Sequence, residues 1–437
     1  MKNSQQEIFH TEKKKMDLTD KTVTIIGAAR SGLASARLIT RLHGKAKISE
    51  QSSENCIPFD FKEWASQHYV KMEFNGHTRL FIEHSDLLVL SPGVRYDALP
   101  IQWAKEKGIP VMGEVELAYQ FCPRPVIAVT GSNGKTTVST LISEIIKKAG
   151  MNVSLCGNIG FPFSDFVLDL DSNGYVVLEI SSFQLESIVY FKPFIAVFLN
   201  FSQNHLDRHK DLQEYFDAKK RIFMNQNESD YAVLNERDPM VKELATQIRA
   251  QVRFFNSPAS KDGGRIQNPN YLAAQEAAKI LGISEQVCQE VFEEFKGVKH
   301  RLEWVRTIKG VDFINDSKST TAEAGRWAME NMTRPMIMIC GGRDKNIDFT
   351  VLRDLVKKKV KKMIVIGEAR QKLKDVFGNV VPLEECDGLE QAVSRALNSA
   401  APGDCVVLSP MCTSFDMFKN YEERGEVFKE IVHRLKP

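Results

Sequence analysis

The chain has 437 residues, 43% of them hydrophobic, which is enough to build two or three separate cores. Lys and Arg (58) nearly balance Asp and Glu (56), which excludes a global charge that would recruit nucleic acid or an acidic membrane surface. The eight cysteines form no C-x-x-C pair and no apolar run approaches the ~20 residues of a membrane helix, so we expect reduced thiols, no membrane insertion and a cytoplasmic location.

The first predicted elements form a βα unit. Residues 22–27 (TVTIIG) are a short β-branched strand that ends in glycine, and helical apolar spacing follows over residues 31–42. Further strand signals alternate with helical stretches, as in a doubly wound parallel sheet, at 45–49, 87–90 and 111–112. Two prolines in residues 121–125 are typical of a linker. We therefore predict a tail at 1–20 and a first domain at 21–120.

The same pattern restarts twice more along the chain. The second series has strands at 126–130, 175–179 and 195–200, and helices at 136–148, 270–281 and 284–295. The third series has parallel-type strands at 311–315, 336–340, 363–367 and 405–409. The sequence therefore predicts an α/β protein of three consecutive domains, with the second at 121–300 and the third at 301–437.

A glycine-rich string, TGSNGKTT at residues 130–137, lies between a predicted strand and a predicted helix. Its glycines permit close approach of the backbone to a phosphate, and its lysine and threonine supply a cation and a Mg²⁺ ligand. Such strings also occur in some structural turns, but here both flanking elements are of the required type. The string predicts ATP or GTP binding by Gly131, Ser132, Asn133, Gly134, Lys135, Thr136 and Thr137.

Polar side chains follow the next two strands. Glu179 ends one strand at the edge where open α/β sheets bind ligands, and a carboxylate there is well placed for Mg²⁺. The other strand runs into NHLDRH at residues 204–209. Taken alone, His205 is more simply interpreted as a capping or surface histidine.

Together these strings resemble the Mur ligase family of ATP-dependent ligases. Strings similar to the family's central domain are TGSNGKTT, GNIG at 157–160, EISSFQLE at 179–186, NHLDRH and an Ala-Lys pair at 218–219. Strings similar to the member that adds D-glutamate are NDSKSTT at 315–321, GGRDK at 341–345 and LSPMCTSFDMFKNYEERG at 408–425. With SPG at 91–93 and GEVEL at 113–117, the similarity spans nearly everything after residue 20. It implies a Rossmann-like N-terminal domain, a P-loop mononucleotide-binding central domain, a Rossmann-like C-terminal domain and a monomer.

The resemblance also implies roles for individual residues in binding ATP and metal. Besides the glycine loop, the ATP contacts are Asn270, Arg301 and Asp316. Two Mg²⁺ sites are implied at Thr136, Glu179, His205 and Lys219, with Lys135, His205 and Lys219 as catalytic residues. Lys219 resembles a lysine that the family carries in N-carboxylated form, although an unmodified Lys219 could instead form an ion pair. His300 and Arg301 match the family's HR motif, or alternatively form a charged linker.

Two substrates are implied, UDP-N-acetylmuramoyl-L-alanine and D-glutamate. The nucleotide contacts are Ser31 in the turn GAARSG, Asn158, Ser181 and Gln184. Glu50, which ends the following strand, is equally well interpreted as a uridine neighbour or as a solvated loop residue. The glutamate contacts are Lys318, Thr320, Lys345 and Ser414, with Phe415 as a further substrate contact. Lysines suit this task because each offers a compact charge on a flexible stem.

The implied reaction is peptide-bond formation in peptidoglycan precursor synthesis. The alanyl carboxylate attacks the γ-phosphate of ATP, and the amine of D-glutamate displaces phosphate from the acyl phosphate. Because the residues for ATP and for glutamate come from different domains, we expect domain closure to assemble the site. Alternatives are another Mur or folylpolyglutamate-type ligase, or a P-loop ATPase without ligase activity.

The chain departs from the family pattern at two places. The segment 230–270 is short, and we expect it to lack most of the family's glycine-tryptophan-like strand pair. Gln267 and Asn268 replace the usual His-Asn, which makes Asn270 less secure as an ATP contact. Arg343 adds a charge beside the implied glutamate site, where it either modifies affinity or points to solvent.

Overall fold

The computed structural model describes residues 16–202, 209–257, 268–295, 297–344 and 347–436. Three sheets follow one another along the chain, which confirms the predicted α/β class. The chain divides into two compact units, one that ends at Phe295 and one that starts at the next residue. Within the described stretches, no helix is long and apolar enough to cross a bilayer.

The first sheet has parallel neighbours in the order β3-β2-β1-β4-β5. Its strands are β1 (Thr22–Ile26), β2 (Lys45–Ser49), β3 (Lys71–Glu73), β4 (Leu87–Leu90) and β5 (Val111–Gly113). The helices that alternate with them are α1 (Arg30–Arg41), α2 (Phe59–Gln67), α3 (Arg79–Glu83), α4 (Leu99–Glu106) and α5 (Glu114–Phe121). Strand β1 lies at the centre and is almost wholly buried, as expected for a parallel sheet covered on both faces.

The second sheet is also parallel and has the order β11-β10-β9-β6-β8-β7. Its strands are β6 (Val126–Thr130), β7 (Val153–Gly157), β8 (Tyr175–Glu179), β9 (Ile195–Phe198), β10 (Tyr231–Asn235) and β11 (Gln251–Phe255). The helices are α6 (Lys135–Lys148), α7 (Ser182–Leu185), α8 (Leu212–Lys220), α9 (Pro239–Glu243), α10 (Pro269–Ile280) and α11 (Glu285–Glu294). All five residues of β6 are buried, so the loop that follows it starts from a rigid strand.

A buried carboxylate connects the first two sheets. Glu116 on α5 is fully buried and accepts hydrogen bonds from the backbone N–H groups of Val189, Tyr190 and Phe191, at 2.8 to 3.0 Å. Such bonds satisfy both the carboxylate and the loop that it enters. This contact helps to explain why both sheets belong to one compact unit.

The third sheet has the order β12-β13-β17-β14-β15-β16. Its strands are β12 (Glu303–Ile308), β13 (Val311–Asn315), β14 (Met336–Gly341), β15 (Val360–Ile366), β16 (Leu383–Glu385) and β17 (Cys405–Leu408). The helices are α12 (Ala322–Asn331), α13 (Arg353–Lys359), α14 (Arg370–Phe377), α15 (Leu389–Ser399) and α16 (Tyr421–Arg434). The pair β12–β13 is antiparallel, because the turn residues Lys309 and Gly310 both have positive φ and close a tight hairpin.

Candidate active site

The loop between β6 and α6 has the backbone that phosphate binding needs. Gly131 and Gly134 have φ values of +152° and +84°, in the region that favours glycine. A Cβ added at Gly131 would lie 3.0 Å from Cβ of Leu199, and one at Gly134 would lie 2.5 Å from Oδ1 of Asn270. Because side chains are excluded, the backbone amides at the start of α6 are accessible to an anion.

Asn270 therefore reaches the phosphate loop despite the altered sequence before α10. It lies in the first turn of that helix, where its N–H donates to the capping Oδ1 of Asn268 at 3.0 Å. The packing of its side chain against Gly134 brings a predicted ATP contact to the predicted loop.

The end of β9 supports the outer side of the loop. Asn200 accepts from the N–H of Asn133 at 2.9 Å through Oδ1 and donates to its carbonyl at 3.1 Å through Nδ2. Its own carbonyl accepts from the N–H of Ser132 at 3.0 Å. These bonds fix the loop before any ligand is bound, which lowers the ordering cost of binding.

Two lysine amines meet at the loop. Nζ of Lys135 donates to the carbonyls of Gly131 and Ser132 at 2.8 and 3.1 Å, and Nζ of Lys219 donates to the same Gly131 carbonyl at 2.9 Å. Lys219 is only 1% exposed, and its amine lies 4.7 Å from the ring centre of Tyr215. Burial, and then the charge of Lys135, hold the pKa of Lys219 well below its ordinary value, against an opposing effect of Glu179.

Glu179 is buried at the end of β8, with 2% exposure. Its Oε1 accepts from Nδ2 of Asn158 at 2.8 Å, and its carbonyl accepts from the Asn158 N–H at 2.9 Å. The predicted metal residue and the predicted nucleotide residue are therefore in direct contact. On α6, Thr136 is buried and Thr137 is half-buried.

Ser181 and Gln184 form a capping box at the start of α7. The Ser181 N–H donates to Oε1 of Gln184 at 2.9 Å, and the Gln184 N–H donates to Oγ of Ser181 at 3.3 Å. This arrangement gives both side chains a structural role in the turn that follows Glu179. Their assignment as nucleotide contacts stays a prediction.

The turn after β1 is held by groups from three other segments. Oγ of Ser91 donates to the carbonyl of Gly27 at 2.9 Å, and Arg30 donates to the carbonyl of Gly160 at 2.7 Å. Glu50 is half-buried after β2 and accepts from the Ala28 N–H at 2.6 Å, so it has a structural contact in this turn, while its place near the uridine stays a prediction. Burial alone would raise the pKa of Glu50, but its bonds from backbone N–H groups outweigh this and lower it. Ser31, half-buried at the start of α1, lies next to this braced turn.

In the second unit, the HR motif is part of a buried network and not a charged linker. His300 is buried, and its Nδ1 lies 3.0 Å from Nδ2 of Asn315. Asp316 accepts from Oγ of Ser409 at 2.9 Å and from the Leu302 N–H at 3.2 Å. Burial raises the pKa of Asp316 to about 7, although the nearby Arg301 acts to lower it. Arg301 and Asp316, both predicted ATP contacts, are thus neighbours.

The predicted glutamate contacts lie on two loops of the second unit. Lys318 is half-buried with Nζ 5.8 Å from the ring centre of Tyr421, and Thr320 is half-buried on the same loop. Ser414 is buried on the other loop, and Phe415 beside it is 54% exposed. The Met411 N–H donates to the carbonyl of Ser319 at 2.8 Å and so ties the loops together.

Two predicted residues, His205 and Lys345, lie outside the described residues. Among the residues that are described, no group of three or more His, Cys, Asp or Glu side chains is gathered for a metal ion. Arg343 pairs with Glu368 at 3.1 Å on the surface, which favours the interpretation that it points to solvent.

Two family models match this chain. They are the Mur ligase middle domain over residues 129–289 and the Mur ligase glutamate ligase domain over residues 300–412, together more than half of the chain. The chain belongs to the Mur ligase family.

Relatives within the Mur ligase family include two named UDP-N-acetylmuramoylalanine--D-glutamate ligase. The one from Caldicellulosiruptor saccharolyticus is 37% identical and aligns over 96% of this chain and 100% of its own length. The one from Pelotomaculum thermopropionicum is 39% identical and aligns over 96% of this chain and 99% of its own length. Among solved structures, the MurF ligase of Thermotoga maritima in complex with ADP has a TM-score of 0.59 and 15% identity, covering 90% of this chain and 96% of its own. It shares the fold.

Sequence reasoning missed some residues that shape this Mur ligase site. Asn200 was assigned only to the end of a strand, and Tyr421 and Arg424 only to a matching string. The local signal for Asn200 was an asparagine two residues after a buried strand and four residues before the NHLDRH string. Tyr421 and Arg424 belong to the string YEERG at 421–425, which resembles an ordinary charged helix face.

Proposed function

We propose that the chain is an ATP-dependent ligase that joins D-glutamate to UDP-N-acetylmuramoyl-L-alanine in cytoplasmic peptidoglycan precursor synthesis, with release of ADP and phosphate. The observation that carries this proposal is the 37% and 39% identity, over 96% of the chain, to relatives named for that reaction. The protein acts as a monomer on these two small substrates and ATP, without nucleic acid and without insertion into a membrane.

The reaction proceeds through an acyl phosphate. An oxygen of the alanyl carboxylate attacks the γ-phosphorus of ATP, and ADP leaves. The neutral amine of D-glutamate then attacks the acyl carbon, phosphate leaves with the carboxylate oxygen, and the amine loses a proton as the amide forms. The protein's contribution to both steps is positioning and neutralisation of charge.

The phosphate loop supplies the first part of that neutralisation. Backbone N–H groups from Gly131 to Thr137 surround the phosphates, and Lys135 follows the charge of the transferred group. The carbonyls of Gly131 and Ser132 hold the Lys135 amine beside the loop. When ATP binds, a charged phosphate oxygen replaces these two carbonyls as the acceptor for the Lys135 amine, because it accepts more strongly.

The oxygen-rich side chains beside the loop fit Mg²⁺. Thr136 offers a hydroxyl and Glu179 a buried carboxylate, and oxygen is the ligand that Mg²⁺ prefers. When bound, the ion neutralises phosphate charge and polarises the phosphorus–oxygen bond. We assign a second Mg²⁺ to His205 and Lys219.

The neutral amine of Lys219 suits carboxylation by carbon dioxide. Its nitrogen adds to the carbon of carbon dioxide and loses one proton, and the product is an anionic carbamate. Burial and the nearby Lys135 favour the neutral amine that this step needs. The carbamate anion would attract the Lys135 ammonium and would give the second metal an oxygen ligand.

We assign Asn270 to ATP and, in the second unit, Arg301 and Asp316 to its phosphate and ribose. Lys318, Thr320, Lys345 and Ser414 bind the two carboxylates of glutamate, and Phe415 contacts the substrate. The acceptor nucleotide is bound by Ser31, Asn158, Ser181 and Gln184. The half-burial of Lys318 next to an aromatic ring keeps its charge close to the pocket.

The test is to follow the oxygen atoms of the reaction. Purified protein is given ATP, D-glutamate and acceptor nucleotide labelled with ¹⁸O in the alanyl carboxylate. The expected result is a product heavier by one glutamyl residue, one ADP per product and one ¹⁸O atom in the released phosphate. ATP hydrolysis without this product, or phosphate that stays unlabelled, would contradict the proposed function.

A further inference from the structure

Arg424 on α16 is an arginine with no exposed surface. Burial lowers its pKa to about 10, so the guanidinium still carries its charge at neutral pH. A buried cation is costly unless its donors are used. Its contacts therefore show what the protein gains from it.

The guanidinium joins two loops of the second unit. Its Nε and Nη2 donate to Oγ and to the carbonyl of Ser317, at 3.0 and 2.9 Å. Nη2 also donates to the carbonyl of Cys412 at 3.1 Å. The first loop continues to Lys318 and Thr320, and the second continues to Ser414.

A third loop packs against the same group. A Cβ added at Gly342 would lie 3.2 Å from Nη1 of Arg424 and 2.2 Å from the carbonyl of Thr413. Among the described residues, Nη1 has no hydrogen-bond partner. Three loops therefore meet at one guanidinium, and two of them carry the described residues that are predicted to contact glutamate.

The start of α16 packs against these loops in two further ways. Oγ of Ser317 accepts from Arg424 and donates to the carbonyl of Tyr421 at 2.8 Å, which fixes the residue whose ring faces Lys318. The residue after Arg424 is Gly425, where an added Cβ would lie 2.1 Å from Nδ1 of His300. Close packing here leaves little freedom for the loops to move independently.

We propose that Arg424 is the positioning residue of the amino-acid pocket: it holds the loops of Lys318 and Ser414 at a fixed separation and adds a buried positive charge that favours a dicarboxylic substrate. This inference rests on the proposed function. A lysine at this position keeps the charge, but it cannot reproduce the planar set of donors that serves Ser317 and Cys412 together. A methionine fills a similar volume and removes the charge as well.

The test compares Arg424→Lys and Arg424→Met with Arg434→Lys, at the other end of α16. Arg434 is 65% exposed at its side chain and pairs with Glu390 on the surface, so it is a matched control. We expect KM for D-glutamate to rise about tenfold in Arg424→Lys, the effect of roughly one lost charge-assisted bond. It should rise further in Arg424→Met, while KM for ATP stays within about twofold, because ground-state binding of ATP uses other residues. Equal rises for ATP and glutamate, or an unchanged KM for glutamate, would overturn the proposal.

A second variant covers the case in which the arginine variants do not fold. Ser317→Ala removes one hydroxyl that Arg424 contacts and changes little volume. It should raise KM for D-glutamate in the same selective way, and a normal KM for glutamate in this variant would overturn the proposal. In folded proteins, the effects of Ser317→Ala and Arg424→Lys should not add, because both break one network. The proposed function is tested separately with wild-type protein. It fails if D-glutamate does not stimulate phosphate release.

Discussion

The side-chain amines of Lys135 and Lys219 donate to the same acceptor, the carbonyl oxygen of Gly131, at 2.8 and 2.9 Å. A second ammonium group beside that of Lys135 is disfavoured by charge repulsion and by the burial of Lys219, which both lower the pKa of Lys219. An anion between them removes the conflict. The pair is therefore suited to a site that receives phosphate and, at Lys219, a carboxylate.

Replacing Lys135 with alanine removes the cation that follows phosphoryl charge during transfer. We expect kcat to fall by about 10²-fold or more in a folded protein. The matched control is Lys148→Ala at the other end of α6, where the lysine pairs with Glu294 on the surface at 2.9 Å. Steady-state release of phosphate measures both variants. Near-normal turnover of Lys135→Ala would refute the role of this lysine.

If the carbamate of Lys219 binds or orients metal, replacing Lys219 with alanine should lower kcat by about 10²-fold or more. Added acetate should restore part of the activity by supplying a short carboxylate. Lys220→Ala is the control, because Lys220 contacts Gln247 at 2.6 Å on the exposed side of the helix. A ¹³C signal from labelled bicarbonate should appear in the wild type and be lost only in the Lys219 variant. Full activity of Lys219→Ala would rule out an essential carbamate.

Stability of the first unit should depend on the ionisation of Glu114. This carboxyl accepts from the Ser164 N–H at 2.7 Å through Oε1, whereas its buried Oε2 has no partner among the described residues. Burial raises the pKa of Glu114 from 4.5 to about 7. The folded protein thus holds the proton over a pH range in which the unfolded chain releases it.

The sign of the effect follows from that difference in bound protons. The contribution to stability is fully present below pH 4.5 and is lost as the pH rises through about 7, by on the order of 3 kcal/mol. Glu114→Gln keeps the acceptor for Ser164 and removes the ionisation, so its unfolding free energy should change less between pH 5 and 8. Urea unfolding of both proteins across pH measures this. Parallel pH profiles would show that Glu114 does not titrate as described.

The phosphate loop was predictable because its parts are adjacent in the sequence. A β-branched strand, two glycines and a lysine at the start of a helix are local signals, and the structure has β6, Gly131, Gly134 and α6 where these signals are. The capping box of Ser181 and Gln184 was also readable, as a serine followed three residues later by a glutamine.

The contacts between distant segments were not predictable in this way. Arg424 lies in α16, whose sequence is typical of a charged, exposed helix. Arg424 is buried only because three loops pack against it. Strands β10 and β11 were missed because their segment departs from the family pattern. The hairpin β12–β13 was missed because β12 has an exposed face and lacks a continuous apolar run. Burial overturned the interpretation of His300 as a linker residue, and a hydrogen bond from the Ala28 N–H gives the half-buried Glu50 a structural contact that its sequence did not show.

The most direct measurement is the dependence of phosphate release on the amino acid, with purified protein, ATP and UDP-N-acetylmuramoyl-L-alanine. The proposed glutamate contacts Lys318, Lys345 and Ser414 would favour a substrate with two carboxylates, because an uncharged side chain would leave their donors without a charged acceptor. D-glutamate should therefore stimulate release far more than D-glutamine or D-alanine, and the family assignment predicts the same preference over L-glutamate. Equal stimulation by D-glutamate, L-glutamate and L-lysine would contradict the assignment of this chain as a D-glutamate ligase.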